Sequence, residues 1–214
     1  MIIGRSVEGR PIEAFDVAGA TPADRLGALV FGAIHGDEPG SAELCHRFIE
    51  ALRARAPGYR TIVIPALNPD GLQAGRKNNA RDVDLNRNFA ARNWQRAHRP
   101  GYDPGAAPQS EPETAALAAL VEGARPRALV AVHQPLRCVN WDGGGQRLAD
   151  LMAAACGYPS VASVGYPTPG SFGSRYGVDD GGCVVTLELP RPVPDGEWGG
   201  CLEALRCATL LGPA

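Results

Sequence analysis

The chain alternates short apolar runs with longer stretches in which apolar and polar positions are mixed. Four runs are apolar enough to predict strands buried on both faces, and they cover residues 29–33, 61–65, 128–132 and 183–189. Signals that open helices lie between and after these runs. The predicted helices cover residues 39–56, a segment that begins with Ser110-Glu111-Pro112-Glu113, residues 146–155 and a final stretch near the C-terminus.

This alternation predicts an α/β fold with a mixed, mostly parallel central sheet and helices on both faces. Residues 4–17 predict a hairpin at a sheet edge, and residues 161–164 predict a further short strand. Residues 68–109 show little periodicity, and a loop of that length in a compact domain is usually functional. A chain of 214 residues suits one domain, which we place over residues 1–214.

His35 and Glu38 form a His-x-x-Glu pair directly after the first buried run. A loop between a strand and a helix is where open α/β sheets commonly bind ligands. An imidazole and a carboxylate at this spacing can supply two of the three protein ligands of a catalytic zinc. Taken alone, the pair is better explained as a polar loop histidine and an acid at a helix start, because His-x-x-Glu is frequent by chance.

Two later strands also carry polar groups near their carboxyl ends, His133 after residues 128–132 and Glu188 within residues 183–189. A satisfied core histidine would explain the first, and a buried salt bridge to an arginine would explain the second. One chemistry explains all four groups. His35, Glu38 and His133 would bind Zn²⁺, and Glu188 would act as general base on the attacking water.

The segment from Arg76 to Phe89 is polar and rich in cations, which is typical of a loop at the mouth of a site. Arg87 can hold a carboxylate through two parallel hydrogen bonds, and Asn86 can add a neutral donor. A second arginine, Arg76 or Arg81, can stabilise the developing oxyanion. For any single arginine in this segment, a position on a solvated basic loop without a catalytic role is the commoner explanation.

These residues lie within motifs that resemble, in order, those of the zinc carboxypeptidase family. The motifs are His35-x-x-Glu38, Asn68-Pro69-Asp70-Gly71, Asp84-x-Asn86-Arg87-Asn88, His133 and Thr186-x-Glu188. The resemblance implies that family's three-layer sandwich and one zinc ion per chain. The sequences of segments 83–89, 133–136 and 165–171 further resemble those of the murein peptide amidases. These bacterial members of the family cleave the γ-D-glutamyl–diaminopimelate bond of cell-wall peptides.

The resemblance also implies a role for each residue that matches a motif. The implied zinc ligands are His35, Glu38 and His133, the implied base is Glu188, and the implied clamp for the substrate carboxylate is Asn86 with Arg87. Arg76 and Arg81 both precede the clamp, so the oxyanion role is open between them. A tyrosine that contacts substrate is implied at Tyr166, with Tyr176 as the alternative, although an ordinary loop aromatic would also explain Tyr166.

Composition limits the partners and the compartment. A net charge of −2 with well-mixed charges gives no electrostatic reason to expect nucleic acid or an anionic membrane as partner. No apolar run approaches transmembrane length. Residues 1–8 lack a basic segment followed by an apolar core, so we expect a cytoplasmic protein. In that compartment the six cysteines are expected to be reduced.

Together these features predict a zinc metallopeptidase that hydrolyses an amide bond in small carboxylate-bearing peptides, such as muropeptide fragments. One alternative is a zinc N-acyl amino acid deacylase of the aspartoacylase type, which would use the same His-x-x-Glu pair as zinc ligands and an arginine that holds a carboxylate. Another is a non-catalytic peptide-binding module that keeps the fold. The presence of Glu188 beside a full ligand set argues against the module, because a binder needs no base. The oligomeric state is open.

Overall fold

A seven-stranded sheet forms the centre of the protein in the computed structural model, which describes residues 1–21, 26–97 and 99–211. Its strands, in spatial order, are β3 (Phe15–Val17), β5 (Thr61–Ile64), β4 (Ala28–Phe31), β6 (Ala128–His133), β9 (Cys183–Glu188), β7 (Cys138–Gly143) and β8 (Ser160–Val161). Strands β5, β4, β6 and β9 run parallel, whereas β3 and β7 pair antiparallel with β5 and β9. The predicted mixed, mostly parallel sheet is confirmed.

Helices cover both faces of this sheet. They are α1 (Pro39–Ala54), α2 (Pro69–Ala74), α3 (Pro112–Ala124), α4 (Gln146–Cys156) and α5 (Trp198–Ala208). Val30 on β4 belongs to an apolar cluster with residues of α1, α4 and α5, whereas its neighbour Leu29 belongs to a second cluster with residues of α3. Because neighbouring strand residues point to opposite faces, the buried run of β4 contributes to both layers. The predicted helices on both faces are confirmed.

The long segment 68–109, predicted as a loop, contains two short helices. Asn68 caps α2, because its side-chain oxygen accepts a hydrogen bond from the Gly71 N–H at 2.9 Å. A 3₁₀ turn follows at Leu85–Arg87. The Asn-Pro start of α2 is a helix signal that a reading based on periodicity overlooks, because a six-residue helix has too few turns to show one.

Other local predictions were only partly right. The predicted hairpin forms from β1 (Ile2–Arg5) and β2 (Pro11–Glu13). Its predicted place at the edge of the main sheet was wrong, because it is a separate two-stranded sheet and β3 joins that edge instead. The capping box at Ser110 does not form, since the residue that caps α3 is Glu111 and its side chain makes no cap hydrogen bond. Strand β7 and a π-helical turn at Gly173–Asp179 were not predicted.

Strand order determines where the functional side chains meet. Strands β6 and β9 are parallel neighbours in a register that sets His133 directly opposite Glu188. Strand β4 lies on the other side of β6, and its carboxyl end leads into the loop that carries His35. The candidate residues therefore gather at the carboxyl edge of the parallel strands, where open α/β sheets bind ligands.

Candidate metal centre and active site

The turn between β4 and α1 positions the first two candidate ligands. Ala33 has a φ of 45°, and its N–H donates to Ser41 Oγ at 2.9 Å. The Ser41 hydroxyl donates in turn to the backbone carbonyl of Glu38 at 2.6 Å. One side chain thus braces both ends of the turn and sets His35 and Glu38 side by side at the start of α1.

The three predicted zinc ligands come together. The Glu38 carboxylate lies between the two rings, with Oε1 at 2.8 Å from His35 Nδ1 and Oε2 at 3.0 Å from His133 Nδ1. The potential ligand atoms of the three side chains lie within 4.8 Å of one another, and all three residues are buried. Two imidazoles and one carboxylate form the donor set of a catalytic zinc site, so this cluster fits that metal.

Asp84, which was not among the predicted site residues, orients the first histidine. The fully buried Asp84 lies with Oδ1 at 3.1 Å from His35 Nε2, and its Oδ2 accepts from Lys77 Nζ at 2.5 Å. Burial lowers the pKa of His35, but the carboxylates of Glu38 and Asp84 outweigh it and raise that pKa to about 10. A carboxylate on the far ring nitrogen fixes the tautomer and leaves Nδ1 facing the metal site. The sequence feature that could have identified Asp84 is its place in the motif Asp84-x-Asn86-Arg87-Asn88, two residues before the predicted clamp.

Glu188 closes the same space from the end of β9. It is buried, and its Oε2 accepts one long hydrogen bond, from the Leu136 N–H at 3.4 Å. The salt bridge to an arginine that would make Glu188 structural is absent among the described residues. Burial, reinforced by the nearby Glu38 carboxylate, raises the pKa of Glu188 above its usual value. A buried carboxylate with so few partners is free to exchange a proton.

The predicted clamp lies on the 3₁₀ turn and lines the same cavity. Asn86 Oδ1 accepts from the Phe172 N–H at 3.0 Å, which leaves the Asn86 amide nitrogen available to donate to a ligand. Arg87 is buried, donates from Nη1 to the Asn86 carbonyl at 2.6 Å and lies 5.5 Å from the centre of the Tyr102 ring. These contacts hold the guanidinium at the cavity wall.

The two candidate tyrosines lie in different surroundings. Tyr166 lines the cavity with the metal cluster and is 44% exposed. Tyr176 is buried in the apolar core against Phe89 and Phe172, and among the described residues its hydroxyl has no hydrogen-bond partner. The geometry therefore favours Tyr166 as the one able to reach a substrate.

The structure does not bring Arg76 or Arg81 to the cavity. Both are exposed, and neither is among the described residues that line it. The Arg81 guanidinium lies 3.5 Å from the Glu111 carboxylate, in a contact that ties the loop to the start of α3. The oxyanion role for either arginine stays a prediction that these positions do not support.

Comparison with known proteins identifies the family. The zinc carboxypeptidase (peptidase M14) family model matches residues 1–153 of this chain. The chain belongs to the zinc carboxypeptidase family. It is therefore a zinc metallopeptidase, and the buried cluster of two histidines and a glutamate is where the cofactor fits.

Relatives in the family are similar over most of the chain. Murein peptide amidase A of Escherichia coli strain K12 is 38% identical over 200 residues, which cover 87% of this chain and 79% of that protein. The protein of the same name from Vibrio campbellii is 35% identical, with 87% and 77% covered. The crystal structure of murein-tripeptide amidase MpaA from Escherichia coli O157 superposes with a TM-score of 0.80 at 35% identity, and covers 100% of this chain and 92% of that one.

Among the described residues, no helix is both long enough and apolar enough to cross a bilayer.

Proposed function

We propose that this metallopeptidase hydrolyses the γ-D-glutamyl–diaminopimelate bond of small murein peptides. The observation that carries the proposal is one cavity lined by His35, Glu38 and His133, by the Asn86–Arg87 pair and by Glu188. The Glu188 carboxylate has no salt-bridge partner among the described residues. A metal site, a base and a carboxylate clamp are the parts that hydrolysis beside a free carboxylate requires. The names of the relatives support the choice of substrate.

The proposed zinc ligands are His35, Glu38 and His133. Zinc, when bound, acts as a Lewis acid and lowers the pKa of an attacking water. His35 Nδ1 is kept as a ligand atom because Asp84 engages the opposite ring nitrogen at 3.1 Å. The Gln134 N–H donates to Glu38 Oε2 at 3.1 Å and limits the rotation of that carboxylate.

Glu188 is the proposed general base. Its carboxylate takes the proton of the water as the new C–O bond forms, and delivers that proton to the departing nitrogen as the C–N bond breaks. The register of β9 against β6 supports this role, because it holds Glu188 beside His133 rather than across the cavity from it.

Substrate position is the proposed task of Asn86, Arg87 and Tyr166. The planar guanidinium of Arg87 and the amide nitrogen of Asn86, which bonds to none of the described residues, suit a carboxylate on the residue that leaves. Tyr166, partly exposed on the same cavity, is placed to contact the bound peptide.

The proposal treats residues 1–214 as one catalytic domain that acts in the cytoplasm. All six cysteines are free thiols, and Cys45, Cys138 and Cys201 are buried. Buried thiols used as small apolar side chains suit a reducing compartment.

The test is product identification by mass spectrometry. The zinc-loaded protein is incubated with L-Ala-γ-D-Glu-diaminopimelate, with an α-linked isomer and with a panel of N-acyl amino acids. Release of free diaminopimelate from the γ-linked peptide alone supports the proposal. Hydrolysis of the N-acyl amino acids instead would identify a deacylase, and zinc retention without turnover on any compound would identify a binding module.

A further inference from the structure

A second cavity, of about 510 Å³, adjoins the active-site cavity, and the mechanism above does not use it. The two cavities share Arg87 and Tyr166, which line both. Neither the metal cluster nor Glu188 is among the described residues that line the second cavity. It therefore lies beyond the clamp, on the side away from the metal, and its volume is typical of pockets that bind small molecules.

Several polar groups of this second cavity have no partner within the described part of the chain. The Arg99 guanidinium forms no salt bridge or hydrogen bond there. The same holds for the side-chain amide of Gln95 and for the hydroxyl groups of Tyr102 and Tyr166. No aspartate or glutamate is among the described residues that line the cavity, and the rest of its wall is proline and alanine apart from Arg87. The cavity thus offers hydrogen-bond donors and positive charge to a ligand.

Tyr102 holds Arg99 in place without neutralising its charge. The Arg99 guanidinium lies 4.0 Å from the centre of the Tyr102 ring, and that of Arg87 lies 5.5 Å from the same centre. Stacking on an aromatic ring is favourable for arginine and leaves its N–H groups available. Lys77 also lies over this ring, at 3.6 Å, but its ammonium already donates to the Asp84 carboxylate at 2.5 Å. Arg99 is thus a positioned cation without an anion among the described residues.

The segment that carries Arg99 is strongly basic. Residues 76–99 contain seven lysines and arginines but two aspartates and no glutamate, although the whole chain has a net charge of −2. This local excess of positive charge attracts anionic ligands to this part of the surface. The planar guanidinium of Arg99 matches a carboxylate, which it can hold through two parallel hydrogen bonds.

We propose that the second cavity binds one further residue of the peptide, beyond the leaving residue, with the terminal carboxylate of that residue on Arg99. The two guanidinium groups contact one ring, so they lie within the reach of neighbouring residues, whose Cα atoms are about 3.8 Å apart. Arg87 then donates to the carbonyl oxygen of the leaving residue. Water adds across the same γ-D-glutamyl bond, and the amine released is a dipeptide instead of a single amino acid. This inference rests on the proposed function, because it assumes that Arg87 holds the leaving residue.

The first experiment compares three peptides with the unaltered zinc enzyme, by mass spectrometry of the products and by kcat/KM. They are L-Ala-γ-D-Glu-diaminopimelate, the same peptide extended by one alanine, and the extended peptide with an amidated C-terminus. We expect the extended peptide to release diaminopimelyl-alanine, and amidation to lower its kcat/KM by about 10- to 100-fold, the range for hydrogen bonds to a charged group. No cleavage of the extended peptide, or equal values for its acid and amide, would overturn the inference and leave the proposed function intact. Cleavage of none of the three would overturn the proposed function itself.

The second experiment repeats the measurements with Arg99→Ala. We expect kcat/KM for the extended acid to fall by about 10- to 100-fold and that for the unextended peptide to stay within about threefold, because only the extended peptide reaches Arg99. Arg92→Ala is the matched control, since Arg92 is an exposed arginine of the same basic segment that lines neither cavity, and it should keep both values. An equal loss on both peptides would make Arg99 structural and overturn the proposal. If the variant does not fold, the comparison of the extended acid with its amide on the unaltered enzyme decides.

Discussion

Two sets of buried carboxylates in this protein differ in how completely the chain itself satisfies them. Asp70, at the start of α2, is almost fully matched, since its Oδ1 accepts from Ser6 Oγ at 2.7 Å and from Arg10 Nη1 at 2.7 Å. Its Oδ2 accepts from the Glu8 N–H at 2.9 Å. These bonds fasten the hairpin of β1 and β2 to the body of the molecule.

Two carboxylates of the active-site cavity have far fewer partners. Among the described residues, Glu188 accepts a single hydrogen bond, at 3.4 Å. Asp142 has no partner among the described residues. A carboxylate matched by the chain holds the fold together, whereas one left unmatched keeps its capacity for a ligand or a proton. The number of partners therefore separates Glu188 from Asp70, although both side chains are buried.

The largest expected effect comes from removing a zinc ligand. His133→Ala should lose most of its bound zinc and reduce activity by more than about 100-fold, because loss of an outer-shell partner alone typically costs 10- to 100-fold. The fold should persist, since the chain is large enough to bury its own core. Elemental analysis measures the bound zinc, and circular dichroism measures whether the fold persists. His46→Ala, on the exposed side of α1, is the control, and full zinc content in His133→Ala would contradict the ligand assignment.

The next effect separates the base from the metal site. Glu188→Gln keeps the shape of the side chain but cannot accept a proton, so zinc should remain while kcat falls by at least about 10²-fold. Glu203→Gln, exposed on α5, should behave like the unaltered protein. A near-normal kcat would place Glu188 with the structural carboxylates instead.

A smaller and more selective effect is expected at the clamp. Arg87→Ala should lower kcat/KM for carboxylate peptides by about 2–5 kcal/mol of transition-state stabilisation, as for truncation of one partner of a desolvated charge pair. A peptide whose terminal carboxylate is amidated should lose much less, since it offers no anion. Equal losses of kcat/KM on both peptides would mean that Arg87 braces its own loop. The control for a general change of charge is Arg147→Ala, at an exposed position on α4.

The smallest expected effect on catalysis, and a clear one on stability, belongs to Asp70→Asn. Burial alone would raise the pKa of Asp70, but the hydrogen bonds from Ser6, Glu8 and Arg10 lower it below its usual 3.8. The ionised form is thus stabilised on folding, so the benefit is full above that usual value and is lost as pH falls through the lowered one. We expect the free energy of unfolding at pH 7 to fall by about 1.5–3 kcal/mol.

Urea unfolding at neutral and acidic pH measures the effect of Asp70→Asn. The difference from the unaltered protein should shrink as the pH falls below 3.8. kcat for the peptide should change little. A difference that stays constant with pH would show that the Asp70 charge contributes nothing to the fold.

Much of the centre of this protein could be predicted from its residues. The strands at β4, β5, β6 and β9 follow from continuous apolar runs, and such runs signal burial on both faces without reference to the rest of the chain. The metal cluster was predicted because its residues stand at the ends of those strands. In a parallel sheet, strand ends of one kind must lie at the same edge.

Other features depended on contacts between distant parts of the chain. Asp84 reaches His35 across 49 positions of sequence, and its place in a motif does not reveal that histidine as its partner. From the sequence alone, Tyr166 and Tyr176 are equally plausible as the tyrosine that contacts substrate. Only the fold places Tyr166 on the cavity and Tyr176 in the core.

The sequence by itself determined the four central strands, the helices on both faces and the chemical identity of the metal cluster, because periodicity and strand ends are local properties. The tertiary structure decided which carboxylates are matched, that β7 runs antiparallel beside β9 and that Asp142 joins the cavity. The reason is physical. The pairing of β7 and the packing of the turn at Gly173–Asp179 are set by neighbours far away in the chain, and a polar residue acquires its task only when those neighbours supply or withhold its partners.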